Sequence, residues 1–386
     1  MNLRETGSTR NRANPAASNQ LLPAPVCDFV LPVKVSSRLF DLKLAHRWAI
    51  AGSVRPGGAG GIDIYQVVFV ELTDADGATG TGEAAPSSRY EENAASALEF
   101  LARVDARKLS FADVPGSMKY LDSLASKNFA AKGAVNIALL DGAARKACRP
   151  IYDYLGLGFS ERKHITSFSI GIDKPEVIRR KVLAAAQYPV LKLKVGGPDD
   201  TLNLAALREA APMKTVRVDA NEAWRTKEEA LGKIERLAAD GRIEFVEQPM
   251  PAATEPKDLI WLKKRSPLPL MADESYRSVR DVDRCAECYH AVNVKLAKSG
   301  GISGAQEALL AARKAGLKTM IGCMIESSVL ITAAAHLAEL TDYLDIDGNL
   351  LVTNDPYRGV SAEAGAISFD NAPAKTGLRV CAQTHS

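Results

Sequence analysis

The first third of the chain shows strand-like alternation of apolar and polar residues and then changes to helical spacing. Strand-like runs cover VSSRLFDLKLAHRW and DIYQVVFVEL, and a turn at Asp74–Gly80 leads to another short strand. Three helical runs follow, EENAASALEFLARVD, MKYLDSLASK and AAKGAVNIALLDGAARKAC. Strands followed by helices, instead of alternating with them, are typical of an α+β domain. The pattern predicts such a domain over residues 28–150.

Beyond residue 150 strand-like runs alternate with helical stretches. The strand-like runs are ITSFSIGI, VLKLKV, TVRVDA, IEFVEQP, LPLMADES, AVNVKLAK, KTMIGCM and YLDID. Charged residues near the ends of five of these runs follow one another at intervals of 27, 28, 26 and 22 residues: Lys192, Asp219, Glu247, Asp273 and Lys295. A strand, a helix and two short loops occupy about that length, so the α/β pattern predicts a closed barrel over residues 151–355. An open doubly wound sheet is the alternative, but its usual Gly-x-Gly-x-x-Gly turn is missing.

The two ends of the chain differ from these domains. Residues 1–27 lack the apolar core of a signal peptide and predict a polar, flexible arm. Residues 356–386 contain further strand and turn signals, GAISFD and GLRV, and are expected to pack back onto the first domain. No stretch of about 18 apolar residues predicts a membrane span.

Composition narrows the class of protein further. The 386 residues are 46% hydrophobic and 25% charged, values of a globular chain. A net charge of +3, with no dense basic block, gives no nucleic-acid surface. Six scattered cysteines favour reduced thiols and a cytoplasmic location over a secreted disulfide framework. Cys285-x-x-Cys288 with His290 is a zinc alternative, but no second pair at zinc-finger spacing accompanies it.

Polar residues at the strand ends carry the candidate chemistry, because active sites of such barrels lie where strands end. Lys192 and Lys194 share one face of their strand. On an edge strand the two lysines would form a solvent-exposed face, but a closed barrel has no edge strand. They therefore face either the apolar outer helices or the barrel mouth.

Three carboxylates follow on three successive strands. Asp219, Glu247 and Asp273 could each be a helix cap or an ion-pair partner when considered alone. Together they are expected at the same height on adjacent strands, where three anions repel unless a cation lies among them. All-oxygen ligation suits Mg²⁺. Asn221 is a plausible amide beside the metal or the substrate.

Two further features complete the predicted site. Lys295, on the sixth strand, is expected across the mouth from Lys194; a lysine acts as a base only if its pKa falls, which burial and a nearby cation both favour. Asp345 and Asp347 share one face of the eighth strand and suit an ammonium group. A loop acid before the turn at Gly348 is the alternative reading of this pair.

These residues resemble a known family. Lys-x-Lys, then Asp, Glu and Asp, then the Lys of VKLAKSGG are similar to the muconate-lactonising branch of the enolase superfamily. GTGEAAP, LDGAARKACRPIYDYLG, VDANEAW, FVEQP and MADES also resemble it, and the likeness covers roughly residues 30–370. Within the branch, Asp-x-Asp followed by Gly resembles the signature of dipeptide epimerases, including the L-Ala-D/L-Glu epimerases.

The resemblance implies an N-terminal capping α+β domain, completed by the C-terminal segment, over a modified (β/α)₇β TIM barrel. It implies Mg²⁺ held by the three carboxylates, with Lys192 beside it. In enolase-superfamily sites such metal ions stabilise an enediolate intermediate. Two lysines on opposite faces, Lys194 and Lys295, would then epimerise a dipeptide by 1,1-proton transfer alpha to its C-terminal carboxylate. Asp345 and Asp347 would bind its ammonium group, and Glu326, in IGCMIESS, would have a supporting role.

The resemblance leaves specificity and assembly open. The loop from His46 to Gly61 is expected to select the side chain, with Arg47 and Arg55 as candidate cations, but Trp48 and the PGGAGG run depart from the Ala-Glu pattern. N-acylamino-acid racemase, o-succinylbenzoate synthase and muconate cycloisomerase are rival activities, although their substrates carry no free ammonium. A non-catalytic scaffold is a remote alternative. A small dipeptide is the expected partner, without nucleic acid or membrane, and a homo-oligomer stays open.

Overall fold

The computed structural model describes residues 33–53 and 60–383. Its secondary-structure elements form two groups. The predicted arm at residues 1–27 and the candidate cation Arg55 lie outside the described residues.

The first group is an antiparallel sheet covered by helices. Its elements are β1 (Lys34–Trp48), β2 (Ile62–Thr73), β3 (Thr79–Ala84), α1 (Ala94–Ala102), α2 (Val114–Leu124), α3 (Phe129–Lys146) and α4 (Ile151–Tyr154). The sheet order is β1-β2-β3, so strands that follow one another in sequence pair as antiparallel neighbours. Asn93 begins α1 with a capping box that includes Ser96, and the Asp113 side chain begins α2 by accepting from the Gly116 amide. Short polar side chains thus mark where helices start, as their capping preference predicts.

Glycines let β3 approach the buried helix α3 at backbone distance. A Cβ atom built on Gly82 would lie 1.9 Å from the carbonyl oxygen of Ala134, and one on Gly80 would lie 1.9 Å from that of Ala138. No side chain fits in that space. The close approach fixes how the sheet sits on α3 within the capping region.

The second group is a barrel of eight parallel strands. Its strands are β4 (Phe168–Ile170), β5 (Val190–Lys194), β6 (Thr215–Asp219), β7 (Ile243–Glu247), β8 (Leu270–Ala272), β9 (Ala291–Lys295), β10 (Lys318–Gly322) and β11 (Tyr343–Asp345). They are hydrogen-bonded in sequence order from β4 to β11. The Ser167 amide donates to the Leu344 carbonyl at 3.1 Å and brings the first and last strands together. Every predicted strand run contains one of these strands, so the predicted barrel is confirmed.

Helices connect and surround the strands. They are α5 (Pro175–Ala184), α6 (Asp200–Ala210), α7 (Lys227–Ala238), α8 (Pro256–Lys263), α9 (Val282–Cys288), α10 (Leu296–Ser299), α11 (Ile302–Lys314) and α12 (Ser328–Ala335). No helix in residues 33–53 or 60–383 is both long enough and apolar enough to cross a bilayer. Cys285 and Cys288 are buried free thiols on α9.

Strand alternation separates the apolar core from the polar mouth. In β5, Leu191 and Leu193 join the main hydrophobic core, whereas Lys192 and Lys194 between and after them contact carboxylates inside the barrel. A separate inner cluster of Phe245, Met271, Ala291 and Met320 fills the barrel interior. Such side-chain layers make the barrel a packed body, with chemistry confined to one end.

The C-terminal segment forms two short pairs, β12 (Tyr357–Arg358) with β15 (Cys381–Ala382) and β13 (Ser361–Glu363) with β14 (Ala366–Ser368). The Tyr357 ring lies 4.9 Å from the Phe69 ring of β2, and the Leu378 amide donates to Asp141 of α3 at 2.7 Å. The Thr166 amide, just before β4, donates to the Gly365 carbonyl. The segment therefore contacts both groups of elements, while the predicted domain boundaries stay a prediction.

The Gly82 contact predicts a strong effect of a single methyl group. Gly82→Ala should lower the free energy of unfolding by about 3 kcal/mol or more, because neither backbone can move aside without opening the β3–α3 contact. Gly232→Ala on α7 is the matched control. Apart from the backbone of its own helix and its chain neighbours, no atom lies within 4 Å of its added Cβ, so it should raise stability by roughly 0.5–1 kcal/mol. Urea unfolding measures both; equal effects of the two substitutions would contradict the packing argument.

Candidate active site

Three buried carboxylates meet where β6, β7 and β8 end. Asp219 and Glu247 are the last residues of β6 and β7 and face each other in register, and Asp273 follows β8 directly. One oxygen from each lies within 4.8 Å of the others. Among the described residues this is the one cluster of His, Cys, Asp or Glu that could hold a metal ion. The structure therefore brings together the predicted metal ligands and gives the Cys285–Cys288 zinc alternative no support.

The three carboxylates need positive charge nearby, because they are buried close together and repel one another when ionised. Burial and the neighbouring Asp219 raise the pKa of Glu247 to about 7. Burial also opposes ionisation of Asp273, but Lys295 and Lys298 outweigh it and hold the pKa of Asp273 well below its usual range. Glu247 Oε2 is buried and accepts no hydrogen bond from the described residues, although Lys192 Nζ lies 2.8 Å away. Hard carboxylate oxygens with one still unbonded suit a divalent cation.

Lys192 lies at the centre of the acidic side chains. Its Nζ lies 2.6 Å from Asp345, 2.8 Å from Glu247 and 3.1 Å from Asp219. Burial alone would lower the pKa of Lys192, but Asp345 and the other carboxylates hold it well above its usual value. Lys192 is therefore a fixed positive charge.

Lys194 and Lys295 lie on opposite sides of the mouth. They end β5 and β9, which are four strands apart in the ring of eight. Lys194 Nζ donates to Asp219 at 2.6 Å and Lys295 Nζ donates to Asp273 at 2.7 Å. In this arrangement burial would lower the pKa of Lys295, but the Asp273 carboxylate holds it well above its usual value. The lowered pKa expected of a base beside a bound cation stays a prediction.

Two side chains missed by the sequence analysis hold the acidic trio in place. Lys298, three residues after Lys295, is fully buried and donates to the carbonyl and to Oδ1 of Asp273, both at 2.5 Å. Asn293 of β9 donates to Glu247 Oε1 at 2.8 Å. Lys298 stands in the VKLAKSGG run, so its proximity to Lys295 was visible, but its contact with Asp273 was not.

The two acids of the Asp-x-Asp pair have different surroundings. Asp345 accepts from Lys192 and from the Ser167 hydroxyl, both at 2.6 Å, and although burial opposes it Lys192 lowers its pKa to about 2. Asp347 accepts from the amide and hydroxyl of Ser169 at 2.6 and 3.3 Å. Burial and the charge of Asp345 raise the pKa of Asp347 to about 7. The sequence analysis treated the pair as equivalent, but Asp345 is already paired with a cation.

A cavity of about 480 Å³ opens above these groups. That volume is within the range of small-molecule sites. Its polar lining includes the two opposed lysines, Asp345, Asp347 and Asn221. Apolar lining comes from both groups of elements and comprises Trp48, Ile50, Ile62, Met324, Ile325 and Leu351. The cavity thus combines charged groups at one end with an apolar wall.

The remaining predicted residues take different places. Asn221 donates its amide to Asp219 Oδ1 at 2.9 Å and its side chain to Glu274 at 3.4 Å. Glu326 is buried and is not among the lining residues, and burial raises its pKa to about 8. The guanidinium of Arg47 donates to the Gly60 carbonyl at 2.8 Å and is not among the lining residues. Arg47 lines a neighbouring cavity of about 230 Å³ that shares Trp48 and Ser169 with this one, and most of its guanidinium donors are not used by the Gly60 carbonyl. A substrate contact for Arg47 stays a prediction.

Comparison with known proteins agrees with this geometry. Residues 58–156 match the family model described as mandelate racemase / muconate lactonizing enzyme, N-terminal domain, and residues 177–362 match the enolase C-terminal domain-like model. A curated L-Ala-D/L-amino acid epimerase of Pedosphaera parvula is 68% identical over 343 residues, which cover 89% of this chain and 98% of that protein.

Two solved structures share the fold over most of their length. A dipeptide epimerase of Enterococcus faecalis, complexed with Mg and L-Leu-L-Tyr, has a TM-score of 0.80 and 31% identity, covering 91% of this chain and 99% of that one. A substrate-liganded L-Ala-D/L-Glu epimerase of Bacillus subtilis has a TM-score of 0.83 and 28% identity, covering 92% and 99%.

The acidic trio predicts stabilisation by a divalent cation. A cation supplied at 100 times its dissociation constant should raise the free energy of unfolding by about 2.7 kcal/mol, because it binds only the folded trio. Asp273→Asn should remove most of this gain. Asp258→Asn, on an acid that pairs with Lys227 outside the cavity, is the matched control and should keep it. Calorimetric titration and thermal unfolding with and without chelator measure the effect; a gain that survives in Asp273→Asn would place the cation elsewhere.

Proposed function

Because the chain belongs to the mandelate racemase/muconate lactonizing enzyme family of the enolase superfamily, we propose that it is a Mg²⁺-dependent dipeptide epimerase. Like its relatives it is an isomerase. The observation that carries the proposal is the pair of lysines, Lys194 and Lys295, on opposite sides of a cavity that is also lined by Asp273 of the acidic trio and by the Asp-x-Asp pair. Two amines on opposite sides of a carbon suit inversion, because one can remove a proton from one face while the other adds a proton to the opposite face.

The α-proton of a carboxylate is very weakly acidic, because its removal places a second negative charge on the carboxylate oxygens. Mg²⁺ bound to Asp219, Glu247 and Asp273 would stabilise that charge. Lys192, which stays positively charged among its acidic neighbours, adds to this stabilisation. The substrate carboxylate therefore belongs at the end of the cavity formed by β6, β7 and β8.

The two lysines move the proton. Lys194 Nζ takes the α-proton from one face as the C–H bond breaks, and the electron pair passes to the carboxylate. Lys295 Nζ then gives a proton to the opposite face of the planar carbon, and a new C–H bond forms. In the reverse direction the roles exchange. Their places four strands apart in the barrel support the use of one lysine for each face.

The free ammonium of the dipeptide belongs near Asp347. Asp345 is paired with Lys192, whereas Asp347 contacts only neutral donors and the sulfur of Cys323 among the described residues. A buried acid with neutral partners gains most from a cation. The rival substrates of the family, which carry no free ammonium, would not need this contact.

Hydrogen exchange tests the function. We expect L,L-dipeptides incubated with the enzyme and Mg²⁺ in D₂O to gain one mass unit and to form the second epimer. Lys295→Ala should abolish inversion but allow slow exchange of one epimer, because one face keeps its base. Lys314→Ala, on the outer helix α11, is the control. Inversion at the normal rate in Lys295→Ala would exclude the two-base assignment.

The raised pKa of Asp347 predicts a pH-dependent affinity. As the pH falls through about 7 the carboxylate takes up a proton and loses its attraction for the ammonium, so dipeptide binding should weaken about tenfold for each unit below the pKa. Calorimetric Kd values for a dipeptide between pH 8 and 6 measure this. An N-acetylated analogue, and the variant Asp347→Asn, should show little of this dependence; the same slope for all three would contradict the ammonium contact.

A further inference from the structure

An ion pair at the rim of the cavity joins the two groups of elements. Arg89 comes from the segment after β3, and Glu222 from the loop after β6. The guanidinium donates Nε to Glu222 Oε2 at 2.5 Å and a terminal nitrogen to Oε1 at 2.7 Å. Both residues line the cavity. We propose that this pair selects dipeptides whose C-terminal side chain is uncharged, an inference that rests on the proposed epimerase function.

Glu222 is held in place by its own backbone and loop. It has a φ of 66°, in the left-handed region, and follows Asn221, whose φ is 40°. Its amide donates to the Gln248 carbonyl at 2.9 Å, and its Oε1 accepts from the Ala252 amide at 2.7 Å. Two consecutive residues in a conformation unusual for non-glycine residues mark a position fixed by its surroundings. Glu222 is therefore a preorganised partner for Arg89.

The position of the pair relates it to the C-terminal residue of the dipeptide. Glu222 follows β6, one of the strands that supply the acidic trio, where the substrate carboxylate is proposed to bind. Asp347, the proposed ammonium partner, follows β11. In the closed ring β11 lies three strands from β6, counted through β5 and β4. Because the pair lies at the β6 end, where the substrate carboxylate is proposed to bind, it is nearer to the C-terminal residue of the dipeptide than to the N-terminal residue.

Arg89 is the one arginine among the described residues that line the cavity, and the lysines in the lining each contact an acid. Glu222 occupies two of its donors in the bidentate geometry that favours carboxylates. A glutamate or aspartate side chain of the substrate would lie beside the Glu222 carboxylate and would meet an arginine whose charge Glu222 already compensates. A lysine or arginine side chain would meet the guanidinium. Uncharged side chains avoid both costs and can use the apolar lining.

Removing the charge of Glu222 should therefore change the preference. The measured quantity is the ratio of kcat/KM for L-Ala-L-Glu to that for L-Ala-L-Gln, two substrates of nearly equal shape. The wild-type ratio should lie below one. Glu222→Gln leaves Arg89 without its anionic partner and should raise the ratio about tenfold, a change of about 1.4 kcal/mol. Adding Arg89→Met should cancel the gain.

A nearby ion pair provides the matched control. Glu91 pairs with Lys127 on the surface and does not line the cavity, so Glu91→Gln removes the same charge and should leave the ratio unchanged. Rescue of acidic substrates by Glu222→Gln, but not by Glu91→Gln, supports the proposal.

Three results would overturn it. A wild-type ratio well above one would show that acidic side chains are favoured; if Arg55→Ala then lowered the ratio, the selecting cation would be Arg55. An unchanged ratio in Glu222→Gln would show that the Arg89–Glu222 pair does not determine the substrate preference. Absence of α-hydrogen exchange for every dipeptide would instead overturn the proposed function, and this inference with it, whereas exchange with an unchanged ratio overturns the inference alone.

Discussion

Repulsion among three buried carboxylates is the constraint on which the rest of the site depends. Asp219, Glu247 and Asp273 are almost fully buried within 4.8 Å of one another. Ionised carboxylates so placed are tolerated only when cations compensate them. Lysines surround the trio for this reason, and the same balance of charge that makes the cluster stable prepares it to hold a divalent cation. The chemistry proposed for the cavity depends on this balance between buried carboxylates and the cations around them.

The barrel supplies the geometry that this balance needs. Parallel strands end at one rim, so residues far apart in sequence reach the same height, and inward alternation delivers Lys192 and Lys194 to the interior. The capping elements close the rim from above, where Trp48 and Arg89 join the lining. Glu83 of β3 also accepts from the Ser327 and Leu330 amides at the start of α12. The cap is thereby fixed to the barrel through buried hydrogen bonds.

The sequence predicted the fold and most of the clustered residues, because both depend on regular periods. Strand alternation placed Lys192 and Lys194 on one face, and equal spacing placed the three acids on successive strands. Contacts that depend on side chains from distant elements could not be predicted. The difference between Asp345 and Asp347 comes from Lys192 and from serines of another strand. The Arg89–Glu222 pair joins residues 133 positions apart, and the contact of Arg47 Nε with the Gly60 carbonyl is marked by no sequence pattern.

The central claim is that two different amines serve the two faces of one carbon. The most direct measurement follows a single pure epimer of a dipeptide in D₂O at low conversion, with mass spectrometry of substrate and product separately. Two bases predict a product that carries solvent deuterium from the first turnovers, because the second lysine delivers a hydrogen that has equilibrated with D₂O and is not the one taken from the substrate. A product that retains the original protium would mean that one base serves both faces, and would contradict the account.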